Sequence, residues 1–187
     1  MRPAHREREE RFRALYAAHH LDVLRFVARR AHQDAAEDVV AEAFLVAWRR
    51  LDDAPRRPDD VRAWLFGVAR HCLLNAGRGH ARREALAVRV AAVGGAGEDG
   101  LHEADSVAAR LDLAAAWRRL TEAEQEVLAL TVFEDLTSPQ AGAVLGIPAA
   151  AYRLRLMRAR RSLRRHLGAG DSAESSEPAA VPLRSQP

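Results

Sequence analysis

The residues with the most evident chemistry stand between Pro148 and Leu167. Arg153, Arg155, Arg158, Arg160, Arg161, Arg164 and Arg165 share that stretch, and no acidic residue interrupts them. A helix surface that merely meets water normally mixes both signs of charge, so a run of one sign reads as a surface for phosphates and base edges. Between the arginines, Tyr152, Leu156, Ala159, Leu163 and Leu167 recur at helical spacing, the stripe of a helix that buries one side. The elements that must hold this helix are legible just ahead of it. Thr137 and Gln140 form a capping box, with Pro139 tolerated in the first turn. Gly146 ends that short helix, and Pro148 pre-sets the start of the next. A short helix, a tight turn and a long helix make a helix-turn-helix. Gly142 is small where two helices would cross closely, and Ile147 and Tyr152 are placed to fill the core between them. In such a motif the N-terminal half of the second helix reaches the major groove first. Arg153 and Arg158 are therefore the candidates for base edges, Leu154 and Met157 for apolar contacts, and Arg155, Arg160, Arg161 and Arg164 for phosphates.

The rest of the chain also reads as helical. There is no Asn-Gly hairpin and no sustained alternation of β-branched residues. From about residue 8 to 32, Phe12, Leu15, Tyr16, His19, Val23, Phe26 and Val27 follow helical steps, with a bend expected at His20-Leu21 and a second helix starting at Asp22. Asp34 with Glu37 resembles a capping box ahead of the face Val40, Ala43, Phe44, Ala47, Trp48 and Leu51. Pro55 and Pro58 interrupt the pattern, and Asp59 or Asp60 is expected to cap the helix whose stripe is Val61, Trp64, Leu65, Val68 and Cys72. Its distal half carries Gly77 and Gly79, each costing about 1 kcal/mol relative to alanine, so that end is expected to fray unless a partner orders it. A flexible linker is expected at residues 84–106, rich in glycine and acid. A second unit then opens near Ser106 with Leu111, Leu113, Ala114, Trp117 and Leu120, followed by a capping box of Thr121 and Glu124. The tail, residues 168–187, reads as disordered.

The fold class expected is thus all-α, with two small helical domains at residues 8–83 and 107–167. Composition agrees: 187 residues, 5% aromatics and abundant alanine suit thin helical bundles. The formal charge is +3 and all of it comes from arginine, with no lysine in the chain. A single cysteine, Cys72, allows no intrachain disulfide and no CxxC zinc site. Its stripe position argues for a small buried hydrophobe rather than a redox sensor. No His-x3-His pair occurs, so no metal is expected. Phosphate loops, nucleophile elbows and metalloprotease helices are absent too, so neither a cofactor nor enzymatic turnover is expected. Residues 1–11 are crowded with charge and do not read as a secretory signal. No apolar run reaches membrane-spanning length, and a cytoplasmic location is expected. Trp48, Trp64 and Trp117 could in principle stack on bases, but each falls on an apolar stripe and is read as core.

Four segments together carry a family resemblance: AEDVVAEAFLVAWRRL, WLFGVARHCLLN, LTEAEQEVLAL and LTSPQAGAVLGIPAAAYRLRLMRARRSL, in that order. The chain resembles the extracytoplasmic-function (group IV) sigma factors over about residues 12–167. The resemblance implies a first domain that binds the clamp helices of core RNA polymerase and the −10 promoter element. Asp38, Glu42, Leu45 and Arg49 would meet polymerase, and residues 51–62 would capture a flipped base, whose extrusion costs about a few kcal/mol. Arg62, Arg70, His71, Asn75, Arg78, Arg82 and Arg83 would contact −10 DNA. The acidic linker would thread toward the RNA exit route. The second domain would read the −35 element through Arg153, Leu154, Arg155, Met157, Arg158, Arg160 and Arg161. Apolar surface kept for clamp docking would also be a target for an anti-sigma factor. The chain departs from the family pattern at His71, Asn75, Tyr152 and Leu154, the last two bearing on the −35 preference.

Two other functions compete. LTEAEQEVLAL followed by a helix-turn-helix also resembles the output domain of LuxR-type response regulators, which would bind DNA without joining polymerase. That reading needs a receiver of alternating strands and helices upstream, where only helical patterns stand. A sequestering decoy of polymerase is the third, and the arginine-only helix speaks against it.

Overall fold

A computed structural model of the chain describes residues 3–31, 33–80 and 103–174. They form α1 (Pro3–Ala28), α2 (Gln33–Arg49), a 3-10 turn (Leu51–Asp53), α3 (Pro58–His80), α4 (Glu103–Arg118), α5 (Glu122–Val132), α6 (Ser138–Leu145) and α7 (Ala149–Glu174). No strand occurs among the described residues. The architecture is all-α, with α1–α3 in one group and α4–α7 in another.

In the first group α1 runs unbroken, so the bend expected at His20-Leu21 is absent. No proline or glycine stands there to break the hydrogen-bond ladder, and Val23, Phe26 and Val27 continue the buried side begun by Leu15. Phe26 stacks on Phe66 of α3, ring centroids 4.6 Å apart. α2 starts at Gln33, which puts Asp34 inside the first turn rather than ahead of it. α2 buries Val39, Val40, Ala43, Phe44 and Ala47. α3 starts at Pro58, not after Asp59 or Asp60. The carbonyl of Arg57 accepts from the Asp60 and Val61 amides, and proline's fixed φ suits a first helical position, so both aspartates fall in the first turn. The expected stripe of α3 is one side only of what is buried. Ala63, Phe66, Ala69 and Leu73 are buried as well as Leu65, Val68 and Cys72, because α1 and α2 cover one face and α6 another.

The second group is built on local signals. At Thr121 the hydroxyl accepts from the Glu124 amide while the Glu124 carboxylate accepts from the Thr121 amide at 3.0 Å. At Thr137 the Gln140 side-chain oxygen accepts from the Thr137 amide at 3.0 Å and its hydroxyl at 2.7 Å. Gly146 takes the left-handed conformation, φ +68°, and closes α6. α4 opens at Glu103, ahead of the Ser106 start read from the sequence, and α7 continues past Leu167 to Glu174, no proline standing before Pro178 to stop it. The expected linker residues 84–102 and the tail residues 175–187 lie outside the described residues.

Candidate nucleic-acid interface

The long helix α7 is set by its buried side. Tyr152 is fully buried, its hydroxyl donating to the Val127 carbonyl at 2.7 Å and accepting from the Thr131 hydroxyl at 2.7 Å. Burial raises the phenol's pKa, although the Thr131 hydrogen bond works against it, so the group stays a donor at neutral pH. Leu156 and Ala159 continue the contact, with Leu163 packed beside them. The turn ahead is equally fixed: the Ile147 amide donates to the Gly142 carbonyl at 2.9 Å, and a Cβ on Gly142 would stand 2.7 Å from the Ile147 carbonyl oxygen. The close approach read at Gly142 is therefore to the backbone of the turn itself.

With that side pinned, every candidate for the −35 element faces solvent. Arg153, Arg155, Arg158, Arg160 and Arg161 are exposed, as are Arg164 and Arg165, and Leu154 and Met157 are exposed hydrophobics among them. A helix whose exposed charged side chains between Ala149 and Leu167 are all positive offers several phosphate contacts together, and planar guanidinium forks suit guanine edges.

The candidates on α2 fall on one exposed stripe: Asp38, Glu42, Leu45 and Arg49 are all open, opposite the buried side, and Leu45 is 58% exposed. The candidates on α3 are placed differently. Arg62 is half-buried, hydrogen-bonded to the main-chain carbonyl of Glu134 and 3.8 Å from Asp22. Arg70 is also partly covered, 4.0 Å from Glu126. His71 and Asn75 are exposed and line a cleft of about 690 Å³ between α2, α3 and α6, into which Trp64 also faces. The Arg78 side chain, Arg82 and Arg83 lie outside the described residues.

Beside Arg62 and Arg70 lies a cluster of Arg29, Arg30, Glu126 and Glu134 that no sequence motif marks. Arg30, whose side chain is fully buried, donates from Nε to Glu126 at 3.0 Å and from Nη1 to Glu134 at 3.1 Å and to the Phe26 carbonyl at 2.9 Å. Its guanidinium lies 3.7 Å from the Phe26 ring centroid. Arg29 completes the cluster, holding Glu134 at 2.9 and 3.3 Å. Gln140, read only as half of a capping box, also donates to the Asp59 carbonyl at 3.0 Å and to the Asp60 carboxylate at 3.2 Å. One signal could have pointed to Glu126: it stands four residues before Leu130, a carboxylate on the apolar face of its helix. Cys72 is buried as expected, and burial, with Glu42 adding to it, pushes its thiol up to about 11. No group of His, Cys, Asp and Glu that could hold a metal occurs among the described residues.

Comparison with known proteins gives this arrangement its family. The sigma-70 region 2 family matches residues 15–83, and the sigma-70 region 4 family matches residues 110–163. The chain belongs to the extracytoplasmic-function group of RNA polymerase sigma factors. Among its relatives, the RNA polymerase sigma factor CnrH of Cupriavidus metallidurans is 35% identical over 68% of this chain and 70% of its own length. The ECF RNA polymerase sigma factor SigL of Mycobacterium tuberculosis is 33% identical over 81% of this chain and 86% of its own. A solved structure of CnrH with the cytosolic domain of CnrY aligns at 26% identity and a TM-score of 0.56, covering 84% of this chain and 88% of that one. The sigma factor RpoE of Bartonella quintana, solved with the anti-sigma factor NepR, shares the fold at a TM-score of 0.61 and 21% identity, covering 84% and 96%. The family match does not favour the LuxR-type alternative. Residues 15–83 match region 2, and the described residues ahead of residue 81 are helical, with no strand of a receiver among them. No helix among the described residues is long and apolar enough to cross a membrane.

Proposed function

We propose that this sigma factor binds core RNA polymerase and directs promoter-specific initiation, with residues 8–83 engaging the polymerase clamp helices and the −10 element and residues 107–167 the −35 element. The observation that carries the reading is α7, pinned by Tyr152, whose exposed charged side chains between Ala149 and Leu167 are all basic. Arg153 and Arg158 would meet base edges with Leu154 and Met157 beside them, while Arg155, Arg160 and Arg161 hold phosphates. The stripe Asp38, Glu42, Leu45 and Arg49 would dock on polymerase, its exposed leucine providing the apolar centre such contacts need. Arg62, Arg70, His71, Asn75, Arg78, Arg82 and Arg83 would serve the −10 DNA. The chain itself carries no catalytic role; bond formation belongs to polymerase. It works in the cytoplasm, and the relatives solved with CnrY and with NepR support an anti-sigma factor as a further partner.

The test is co-elution of the purified chain with bacterial core RNA polymerase, followed by run-off transcription from a promoter-fragment library. Co-elution with selective transcripts is the expected result, and the transcripts would supply the promoter motif. A chain that ignored core polymerase while binding duplex DNA at moderate salt would overturn the reading.

A further inference from the structure

Residues 51–62, the loop assigned to a flipped base, leave α2 at an acidic end. Asp52 and Asp53 stand on the 3-10 turn with side chains 79% and 58% exposed. The carbonyls of a helix's last turn lack intrahelical partners and add partial negative charge at the same place. A DNA strand is itself a line of negative phosphates, so an end of this kind repels the ligand that the loop is to hold. The turn cannot swing its charges away, because Leu51 is fully buried and Ala54 is buried beside it.

The first turns of α1 meet this end. His5, Arg8 and Phe12 recur at helical spacing and converge on Trp48, in the last turn of α2. Phe12 stands edge-on to Trp48 with ring centroids 5.2 Å apart, His5 does so at 6.4 Å, and the Arg8 guanidinium lies 5.1 Å from the same ring centroid. From there Arg8 forks. Nη2 donates to the Trp48 carbonyl at 2.7 Å and Nη1 to the Asp52 carboxylate at 2.6 Å. Arg11 reaches the Ala54 carbonyl at 3.5 Å, and Arg50 covers Asp53 at 3.0 Å. The sigma-70 region 2 match begins at residue 15, so the turns that carry Arg8, Arg11 and Phe12 precede it.

We propose that Arg8 is a positioning residue of the strand-capturing loop, bracing residues 48–54 from α1 and neutralising the acidic mouth that a DNA strand must cross. The inference rests on the proposed function, in which residues 51–62 take the flipped base. An exposed ion pair adds little to stability, so the Arg8–Asp52 contact is not explained as a fold-holding bond. Its value lies in geometry and charge. A planar guanidinium fixes a carbonyl and a carboxylate in one fork, which the single ammonium of a lysine cannot reproduce. With both Nη atoms engaged, Arg8 acts through the loop and not on the strand. A loop held ready in its bound shape spares the ordering cost at the moment of capture.

Three full-length variants test this: Arg8→Ala, Arg8→Lys, and Arg8→Ala combined with Asp52→Asn. Each is assembled with bacterial core RNA polymerase and assayed on a promoter fragment that the wild type selects in the run-off test. The fragment is used as closed duplex and again with its −10 region pre-melted by mismatches. Co-elution with core and the melting temperature are measured alongside. Arg8→Ala is expected to lower transcription from the closed duplex roughly tenfold as the capture-ready fraction falls. On the pre-melted template, where strand capture no longer has to open the duplex, the loss should largely vanish. Arg8→Lys should recover part of the loss, and so should the added Asp52→Asn, which removes the charge that Arg8 neutralises. Co-elution and melting temperature should stay close to wild type. A wild-type yield from Arg8→Ala on closed duplex would overturn the inference, as would an equal loss on both templates or a double variant no better than Arg8→Ala. Lost co-elution would place Arg8 with polymerase docking instead and overturn it too. A wild type that gave no selective transcripts would overturn the sigma reading itself, and the assignment of Arg8 with it.

Discussion

Replacing Gly142 with alanine sets two effects of opposite sign against each other at one atom. In an exposed helix the change would stabilise by about 1 kcal/mol, because glycine has the greater backbone freedom to lose. Here the new Cβ would stand 2.7 Å from the Ile147 carbonyl oxygen and 3.4 Å from the Ala149 amide nitrogen. Both neighbours are backbone, and the turn they belong to is held by the Ile147 amide on Gly142 itself and by the left-handed Gly146. They cannot swing aside as the end of a side chain would. Overpacking of this kind costs about 1–3 kcal/mol. Subtracting the propensity gain leaves roughly 1 kcal/mol of net destabilisation. For a unit the size of α4–α7 that is a fall in melting temperature of roughly 4–8 °C. Circular dichroism at 222 nm reads it directly, and duplex binding through α7 should weaken in parallel as the turn shifts. A Gly142→Ala chain that melted at or above the wild-type temperature would refute the close approach of Gly142 to the turn and with it the geometry assigned to the helix-turn-helix.

Three further outcomes concern Arg161 of α7 and Cys72 of α3. Arg161→Ala should weaken duplex binding and flatten the slope of log K against log salt by about 0.9, the loss of one phosphate contact, with sequence preference unchanged; an unaltered slope would remove Arg161 from the interface. Cys72 should resist iodoacetamide at pH 8 in the folded chain and react after unfolding, since burial holds its thiol up at about 11 against an ordinary 9.0. The sign for stability follows: below pH 9 both states keep the proton, and between 9 and 11 only the unfolded state sheds it, so stability falls as pH rises through that window. Denaturant titration of wild type and Cys72→Ala across pH 8 to 11 should show a slope that the alanine variant lacks, and equal slopes would contradict it.

What the sequence made legible was what neighbouring residues decide among themselves. The capping boxes at Thr121 and Thr137, the left-handed Gly146 and the arginine face of α7 each depend on a few consecutive positions, and each stands where expected. Asp22 reads as the start of a second helix after a bend at His20-Leu21, but a helix needs a breaker to bend and none is there. The spacing of Val61, Trp64, Leu65, Val68 and Cys72 predicts one buried side for α3, whereas WLFGVA is apolar almost all round, a pattern that calls for cover on more than one face. The Arg30 cluster left no local trace at all, since nothing in a run of arginine at the end of a helix tells which distant carboxylate will meet it. The candidates for the −35 element come together on one open face. Those for the −10 element divide between half-buried, exposed and undescribed positions, a division set by tertiary contact rather than by spacing.

Gln140 does two jobs with one side chain. Its oxygen completes the first turn of α6, and its amide nitrogen holds Asp59 and Asp60 across the crossing. The start of the helix-turn-helix and the overall shape of the molecule are therefore read by the same residue. The capping bonds of Gln140 lie within the first turn of α6 and do not depend on the outer pair, so loss of the bonds to Asp59 and Asp60 would leave the start of the helix-turn-helix complete.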